Sequence, residues 1–296
     1  MPDEGVPSAR GRGHVEPSFE LPCVAVLLAH PAGHSLSPVM HDAAFAARGI
    51  RGRYLAWDVP PNDLDAAVAR LRDDDDLLGA NVTLPHKSRA ASHLDDLTPE
   101  AARLGAVNTI VRRGDALVGD NTDARGFARA LAETGVVLAG ERALVLGAGG
   151  AARAVVAALV AAGAEVGVHN RTSARAAALV AAWRHEGSIT EVVPEQLVAT
   201  SRAARLVVNT TSVGMLGGPA GSPLPAGALP VVGLVVDLVY RPRVTPLLAA
   251  ASSAGLRVQD GLAMLVHQGG LAFEAWTGSG APLDDMRRAL GEALAP

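Results

Sequence analysis

The run Arg142-Ala143-Leu144-Val145-Leu146-Gly147-Ala148-Gly149-Gly150-Ala151-Ala152 decides the fold. Residues 142–146 form a short apolar stretch, residues 147–152 a glycine-rich turn, and residues 152–162 an alanine-rich helix stopped by Gly163. A second apolar stretch follows at residues 165–169. Strand, turn, helix and strand in this order make one βαβ unit. The turn matches G-x-G-x-x-A: Gly147 permits the tight bend, Gly149 lets backbone approach a pyrophosphate, and small Ala152 lets the helix pack close to its strand. The first amides of such a helix face an anion, and the helix dipole favours it there. Gly147, Ala148, Gly149, Gly150 and Ala151 are therefore candidate dinucleotide contacts.

The end of the second strand says which dinucleotide. An NAD site usually carries an acid there for the ribose hydroxyls, but this strand runs into Asn170-Arg171-Thr172, with Arg175 close behind. Two guanidiniums and a hydroxyl suit a 2′-phosphate, so NADP is favoured over NAD. A plain helix cap with surface arginines would account for Thr172 but not for the missing acid. Further strands are expected at residues 205–209 and 232–239, and helices at 174–184 and 246–254. Residues 123–260 are thus expected to form an NADP-binding Rossmann domain.

Ahead of this domain, strands are expected at residues 23–29, 54–58 and 78–83, with helices at 39–48 and 62–72 and a loop at 30–38. That alternation predicts a second α/β domain with a mostly parallel sheet. Residues 261–295 carry an almost continuous helical pattern with no partner of their own, so they are expected to pack back on the first domain. The expected architecture is α/β in two domains, with a cleft between them. Residues 21–122 plus 261–296 form the substrate-binding domain, and residues 1–20 form a disordered tail.

Length and composition agree with two domains: 296 residues, 49% hydrophobic and 19% charged. A net charge of −4 gives no positive field for a nucleic-acid backbone or an anionic membrane. The longest apolar stretches fall well short of the ~20 residues of a membrane span. The first twenty residues carry acids, prolines and glycines instead of the apolar core of a secretory signal. The lone Cys23 has no partner for an internal disulfide, which fits a cytoplasmic location. No metal site is expected. The acids at residues 73–76 read as a solvated loop, and His30 and His34 are separated by Pro31 and Gly33, which oppose a shared helical face.

The basic residues divide unevenly, since of 26 Lys and Arg only Lys87 is lysine. A lysine ammonium can release its proton, whereas a guanidinium effectively cannot. Composition alone leaves chance survival open.

Lys87 lies in Asn81-Val82-Thr83-Leu84-Pro85-His86-Lys87. Before it stands His34-Ser35-Leu36-Ser37-Pro38. After it come Gly105-Ala106-Val107-Asn108-Thr109, Asp120-Asn121-Thr122-Asp123, Asn209-Thr210-Thr211-Ser212, Asp237-Leu238-Val239-Tyr240 and the run from Asp260-Gly261 through Met264-Leu265 to Gln268. With Asn170-Arg171-Thr172, these motifs in this order resemble the shikimate dehydrogenase family, from about residue 24 to 290. The resemblance implies NADP-dependent reduction of 3-dehydroshikimate to shikimate, on the route to chorismate and the aromatic amino acids. It implies catalytic roles for Lys87 and Asp123. It also implies that Ser35 and Ser37 hold the substrate carboxylate, while Thr83, Asn108, Asp123, Tyr240 and Gln268 contact the rest of the substrate. Thr210, Leu238 and Gly261 would lie beside the cofactor. The expected partner is this small molecule, with no nucleic acid or membrane, in a monomer or homodimer. Three positions depart from the family pattern: Ala29-His30 for a common Gly-Asn, Ala124 for a common glycine, and His86 at a variable position. Two rival readings are an NAD-preferring quinate/shikimate dehydrogenase and a non-catalytic NADP-binding regulator on the same fold. The missing acid opposes the first, and the presence of both Lys87 and Asp123 opposes the second.

Overall fold

The computed structural model describes residues 23–295, and the expected tail at residues 1–20 lies outside the described residues. The chain runs β1 (Cys23–Ala29), α1 (Ser37–Ala47), β2 (Gly52–Asp58), α2 (Leu64–Asp73), β3 (Leu77–Val82), β4 (Asp96–Leu97), α3 (Pro99–Leu104), β5 (Thr109–Arg113) and β6 (Ala116–Asp120). These strands form one six-stranded sheet in the order β2-β1-β3-β5-β6-β4. α4 (Asp123–Ala132) then leads to β7 (Arg142–Leu146), α5 (Gly150–Ala161), β8 (Glu165–His169), α6 (Ser173–Trp183), β9 (Ile189–Glu191), α7 (Pro194–Ala203), β10 (Leu206–Asn209), β11 (Leu234–Asp237), α8 (Pro246–Ser253) and β12 (Arg257–Gln259). Their sheet is ordered β9-β8-β7-β10-β11-β12, every pair parallel. Numbered within its own unit, that is the 3-2-1-4-5-6 order of a doubly wound dinucleotide fold, with the switch point between β7 and β10. α9 (Leu262–Thr277) and α10 (Leu283–Ala293) close the chain.

Alternation along the strands of the second sheet sends residues to opposite faces. Ala143, Val145, Val166, Val168, Val208 and Val236 meet Phe127, Val155, Leu159 and Trp183 of α4, α5 and α6. Leu144, Leu146, Val207 and Val235 meet Leu197, Leu247 and Leu248 of α7 and α8 on the other side. In the first sheet, Ala25, Leu27 and Tyr54 pack with Met40 and Phe45 of α1 and with Phe273, Trp276, Met286 and Leu290 of α9 and α10. Val26, Leu28, Ala80 and Val82 point the other way, onto Leu64, Val68 and Leu71 of α2.

The first sheet is not the simple β-α-β-α-β array expected. β1 pairs parallel with β2 and β3, but β5 joins β3 antiparallel and β6 follows as its hairpin partner. Arg112 and Arg113 interrupt the apolar signal there, and the hairpin turns at Gly114 with φ 62°. The reading of residues 30–38 as loop is also too long. α1 begins at Ser37 with Pro38 in its first turn, where a fixed φ and a missing N–H cost nothing. The C-terminal helical run breaks at Gly278, whose φ of 69° ends α9 in a left-handed cap.

Trp276 ties α9 to the first sheet by donating its indole N–H to the Ile110 carbonyl over 2.9 Å. Trp276→Phe keeps most of the ring packing but removes this buried hydrogen bond to a carbonyl of the sheet. The expected loss is about 0.5–1.5 kcal/mol, read as a lower urea midpoint with unchanged slope.

Candidate active site

The turns after β3 carry Thr83 and Lys87. They are pinned from below: the buried His86 ring meets the Val59 carbonyl at 2.7 Å, and the Lys87 carbonyl accepts from the Val107 amide at 2.8 Å. With its backbone held, Lys87 reaches Asp123, the first residue of α4. Its Nζ donates to Asp123 Oδ2 over 2.5 Å. The other carboxylate oxygen, Oδ1, accepts from Asn108 Nδ2 at 2.7 Å. Asn121 Oδ1 accepts from the Asp123 amide at 3.0 Å and Asn121 Nδ2 donates to the Ala106 carbonyl at 2.9 Å, which fixes the turn entering α4. The side chains of Lys87 and Asp123 are only 22% and 7% exposed. Withdrawing such a pair from water costs much of what its attraction returns, so the pair is weak evidence for stability. It does hold one ammonium in one place, facing a cleft.

Asn108 is oriented without ambiguity. Its Oδ1 accepts from the Thr122 amide at 2.8 Å and the Thr109 hydroxyl at 2.9 Å, so Nδ2 must be the atom facing Asp123. Gln268, on α9, brings Oε1 to 3.4 Å from the same Nδ2. Gly126 of α4 crosses α9 at this point, so close that a Cβ there would sit 2.8 Å from the Gln268 amide nitrogen.

A cleft of about 480 Å³ lies above this network, between the two sheets. It brings together Ser35, Ser37, Thr83, Lys87, Asn108, Asp123, Tyr240 and Gln268, and adds Ala151, Leu238 and Gly261 from the dinucleotide side. Gly261 lies so close to Leu238 that a Cβ there would sit 2.1 Å from the Leu238 carbonyl oxygen. Gly147, Ala148, Gly149, Gly150, Asn170, Arg171, Thr172, Arg175 and Thr210 do not line this cleft; they surround the ends of β7, β8 and β10.

Those ends fit a dinucleotide. Gly147 has φ 116°, and a Cβ there would lie 2.4 Å from Thr210 Oγ1, which itself donates to the Leu146 carbonyl at 2.7 Å. A Cβ on Gly149 or Gly150 would meet nothing within 4 Å, so the backbone at the start of α5 borders open space. No side chain caps that helix start, leaving its first amides available to an anion. Ala152 is fully buried. Arg171, Thr172 and Arg175 are exposed about the first turn of α6, which holds no acid. The Asn170 side chain is partly committed, donating to the Thr172 carbonyl at 2.9 Å.

Sequence reasoning named no role for Asn81, Tyr54 or His41. Asn81 lines the cleft, at the start of the motif that ends in Lys87. Beneath it lies Tyr54, whose hydroxyl donates to Asn81 Oδ1 at 2.8 Å, and His41 stacks on the Tyr54 ring with centroids 4.4 Å apart. Burial pushes the His41 imidazole down to about 3, against the opposing influence of Asn81, so the ring is neutral at physiological pH. Burial likewise raises Tyr54 well above an ordinary phenol, with the nearby Ser37 hydroxyl working against the rise. At the cleft mouth, His30 Nδ1 lies 2.9 Å from Asp58 Oδ1. Among the described residues, no three His, Cys, Asp or Glu side chains gather as metal ligands would, and no helix is long and apolar enough to cross a membrane.

Three segments of the chain match family models. Residues 27–110 match a shikimate dehydrogenase substrate-binding domain, residues 129–213 a shikimate/quinate 5-dehydrogenase model, and residues 261–290 a shikimate 5′-dehydrogenase C-terminal domain. The chain is 50% identical over 269 residues to a shikimate dehydrogenase (NADP(+)) of Thermus thermophilus, covering 90% of this chain and 97% of the relative. It is 47% identical over 275 residues to the enzyme of that name from Symbiobacterium thermophilum, covering 90% and 93%. The crystal structure of a shikimate 5-dehydrogenase from a second strain of Thermus thermophilus, in complex with NADP(H) and shikimate, superposes with a TM-score of 0.85 at 47% identity. That match covers 92% of this chain and all of the other.

Proposed function

Because the chain belongs to the shikimate dehydrogenase family, we propose that its cleft interconverts shikimate and 3-dehydroshikimate with NADP as the redox partner. It is an NADP-dependent oxidoreductase acting on a CH–OH group. The observation that carries this reading is the Lys87–Asp123 pair, closed over 2.5 Å in a cleft whose walls come from both sheets. When bound, NADP supplies or accepts the hydride.

The protein's own task is to bind an anionic, hydroxylated ring and to manage one proton. Ser35 and Ser37 line the cleft, where two hydroxyls can donate to a carboxylate. Thr83, Asn108, Gln268 and Tyr240 supply polar groups for the ring hydroxyls. Lys87 Nζ serves the reacting oxygen, giving a proton as a carbonyl is reduced and taking it back in the reverse direction. Asp123 keeps that ammonium in place, and Asn108 keeps Asp123 in place. Residues 21–122 and 261–296 serve as the substrate-binding domain and residues 123–260 as the NADP domain. On this reading Gly147 to Ala151 and Thr210 border the pyrophosphate. Leu238 and Gly261 border the nicotinamide end, and Asn170, Arg171, Thr172 and Arg175 read the 2′-phosphate. A cytoplasmic location belongs to the same proposal.

Incubating the purified protein with NADPH and 3-dehydroshikimate tests the reading. Loss of NADPH absorbance that requires the ketone is expected, at a kcat on the usual enzymatic scale of about 1–10³ s⁻¹. A rate equal to that without protein would refute it. Arg171→Ala is expected to raise the KM for NADP⁺ by about 10-fold or more while sparing the KM for NAD⁺, since a charge-assisted bond to a phosphate is lost. Equal changes with both cofactors would remove Arg171 from that role.

A further inference from the structure

We propose that Tyr54 is a positioning residue of the substrate cleft, fixing the Asn81 amide so that it turns a hydrogen-bond acceptor toward a hydroxyl-bearing substrate. The inference rests on the reading of the cleft given above. Asn81 Nδ2 lies 3.2 Å from the Asn108 carbonyl oxygen, which can only accept, and 3.2 Å from Thr109 Oγ1. The Thr109 hydroxyl spends its own hydrogen on Asn108 Oδ1 at 2.9 Å, so toward Asn81 it too accepts. Both amide hydrogens of Asn81 are therefore directed inward. The Tyr54 hydroxyl donates to Oδ1 at 2.8 Å and takes one of its two lone pairs. What remains of Asn81 for the cleft it lines is the other lone pair of Oδ1, an acceptor suited to an alcohol O–H.

Tyr54 is built to hold that arrangement. The residue is 2% exposed, and its backbone amide donates to Asp42 Oδ1 at 2.7 Å. Its ring lies flat on His41, at an interplanar angle of 12°, with Trp276 at 6.1 Å beside it. α1, β2 and α9 thus clamp one phenol under the cleft. The network touches the Lys87–Asp123 pair only through Asn108, which the Thr122 amide also holds, and the pair has further anchors in Asn121 and in the backbone of Val107, so loss of the phenol falls on the binding of substrate more than on proton transfer.

Tyr54→Phe removes the donor and keeps the ring. A variant in the same core cluster, Phe273→Leu, whose ring packs against Phe45, controls for lost packing. The measurements are kcat and KM for shikimate and for NADP⁺, with shikimate binding followed by calorimetry. For Tyr54→Phe, KM and Kd for shikimate are expected to rise by about fivefold or more, with kcat held within about threefold and KM for NADP⁺ within about twofold. Phe273→Leu is expected to lower the melting temperature and leave both KM values unchanged. An unchanged shikimate KM in Tyr54→Phe overturns the inference. So does an equal rise in Phe273→Leu, or a loss shared by both substrates. Wild-type protein that neither binds nor oxidises shikimate overturns the reading of the cleft, and the inference with it; wild-type turnover with an unaltered Tyr54→Phe overturns the inference alone.

Discussion

Lys87→Arg is expected to lower kcat by about 10³-fold while the protein stays folded and binds NADP⁺ as before. Arginine preserves the positive charge opposite Asp123, so the electrostatic environment survives in outline. Two other things do not. A guanidinium holds its protons too tightly to serve as the acid, and its planar fork is larger than an ammonium closed on a carboxylate oxygen over 2.5 Å. Steady-state kinetics with shikimate and NADP⁺, together with NADP⁺ binding and a thermal melt, separate these effects. Turnover near wild type would show that charge alone suffices and that no proton passes through Lys87.

Asp123→Asn is expected to lower kcat by about 10²-fold or more, within the range usual for loss of one partner in proton transfer. The carboxylate accepts two donors, Lys87 Nζ on Oδ2 and Asn108 Nδ2 on Oδ1. An amide offers one oxygen and one NH₂ in the same space, so one of the two donors must face another donor in a buried setting. Asn108 is held by Thr122 and Thr109 and cannot turn over to compensate. The variant's backbone amide keeps its bond to Asn121, so α4 should still start at this residue. A kcat within about threefold of wild type, with the protein folded, would remove Asp123 from the proton-handling role.

The dinucleotide half was legible because its signals are local. The central strands β7, β8, β10 and β11 are short, largely apolar runs stopped by glycine or a polar turn, and the glycine pattern sits at one strand–helix junction. Three elements there, β9, α7 and β12, escaped notice: a three-residue strand has no period to detect, and α7 buries only Leu197 and Ser201, too few positions to mark an apolar face. The first sheet was legible only in part. β5 and β6 owe their existence to pairing with β3 and with each other, and Arg112 and Arg113 hide their apolar alternation. The arginines have a use that a linear pattern does not reveal: the Arg112 guanidinium donates to the carbonyls of Leu71, Arg72, Asp74 and Leu77 around the end of α2.

The site shows the same limit. Lys87 and Asp123 are 36 positions apart, and Asn108 and Gln268 are 160 apart. No spacing rule joins such residues, and only the order of the motifs, matched to a family, brought them onto one list. The fold adds how the hydrogen bonds are directed. Tyr54 and His41 carried no sequence signal at all, since a tyrosine in a strand and a histidine on a helix read as ordinary core until the phenol is seen beneath Asn81. The lone lysine is the exception. Its composition was unusual before anything was known of its surroundings, and the fold places it against a buried carboxylate that shares its cleft.

We infer that one cleft joins an NADP-reading nucleotide domain to a shikimate site served by Lys87 and Asp123. The most direct test is the wild-type kcat/KM for shikimate oxidation, measured with NADP⁺ and with NAD⁺ in parallel. Clear shikimate-dependent turnover is predicted, with NADP⁺ preferred by about 10-fold or more, as expected for guanidiniums at a 2′-phosphate. A ratio at or below one, or no turnover with either cofactor, would refute this assignment.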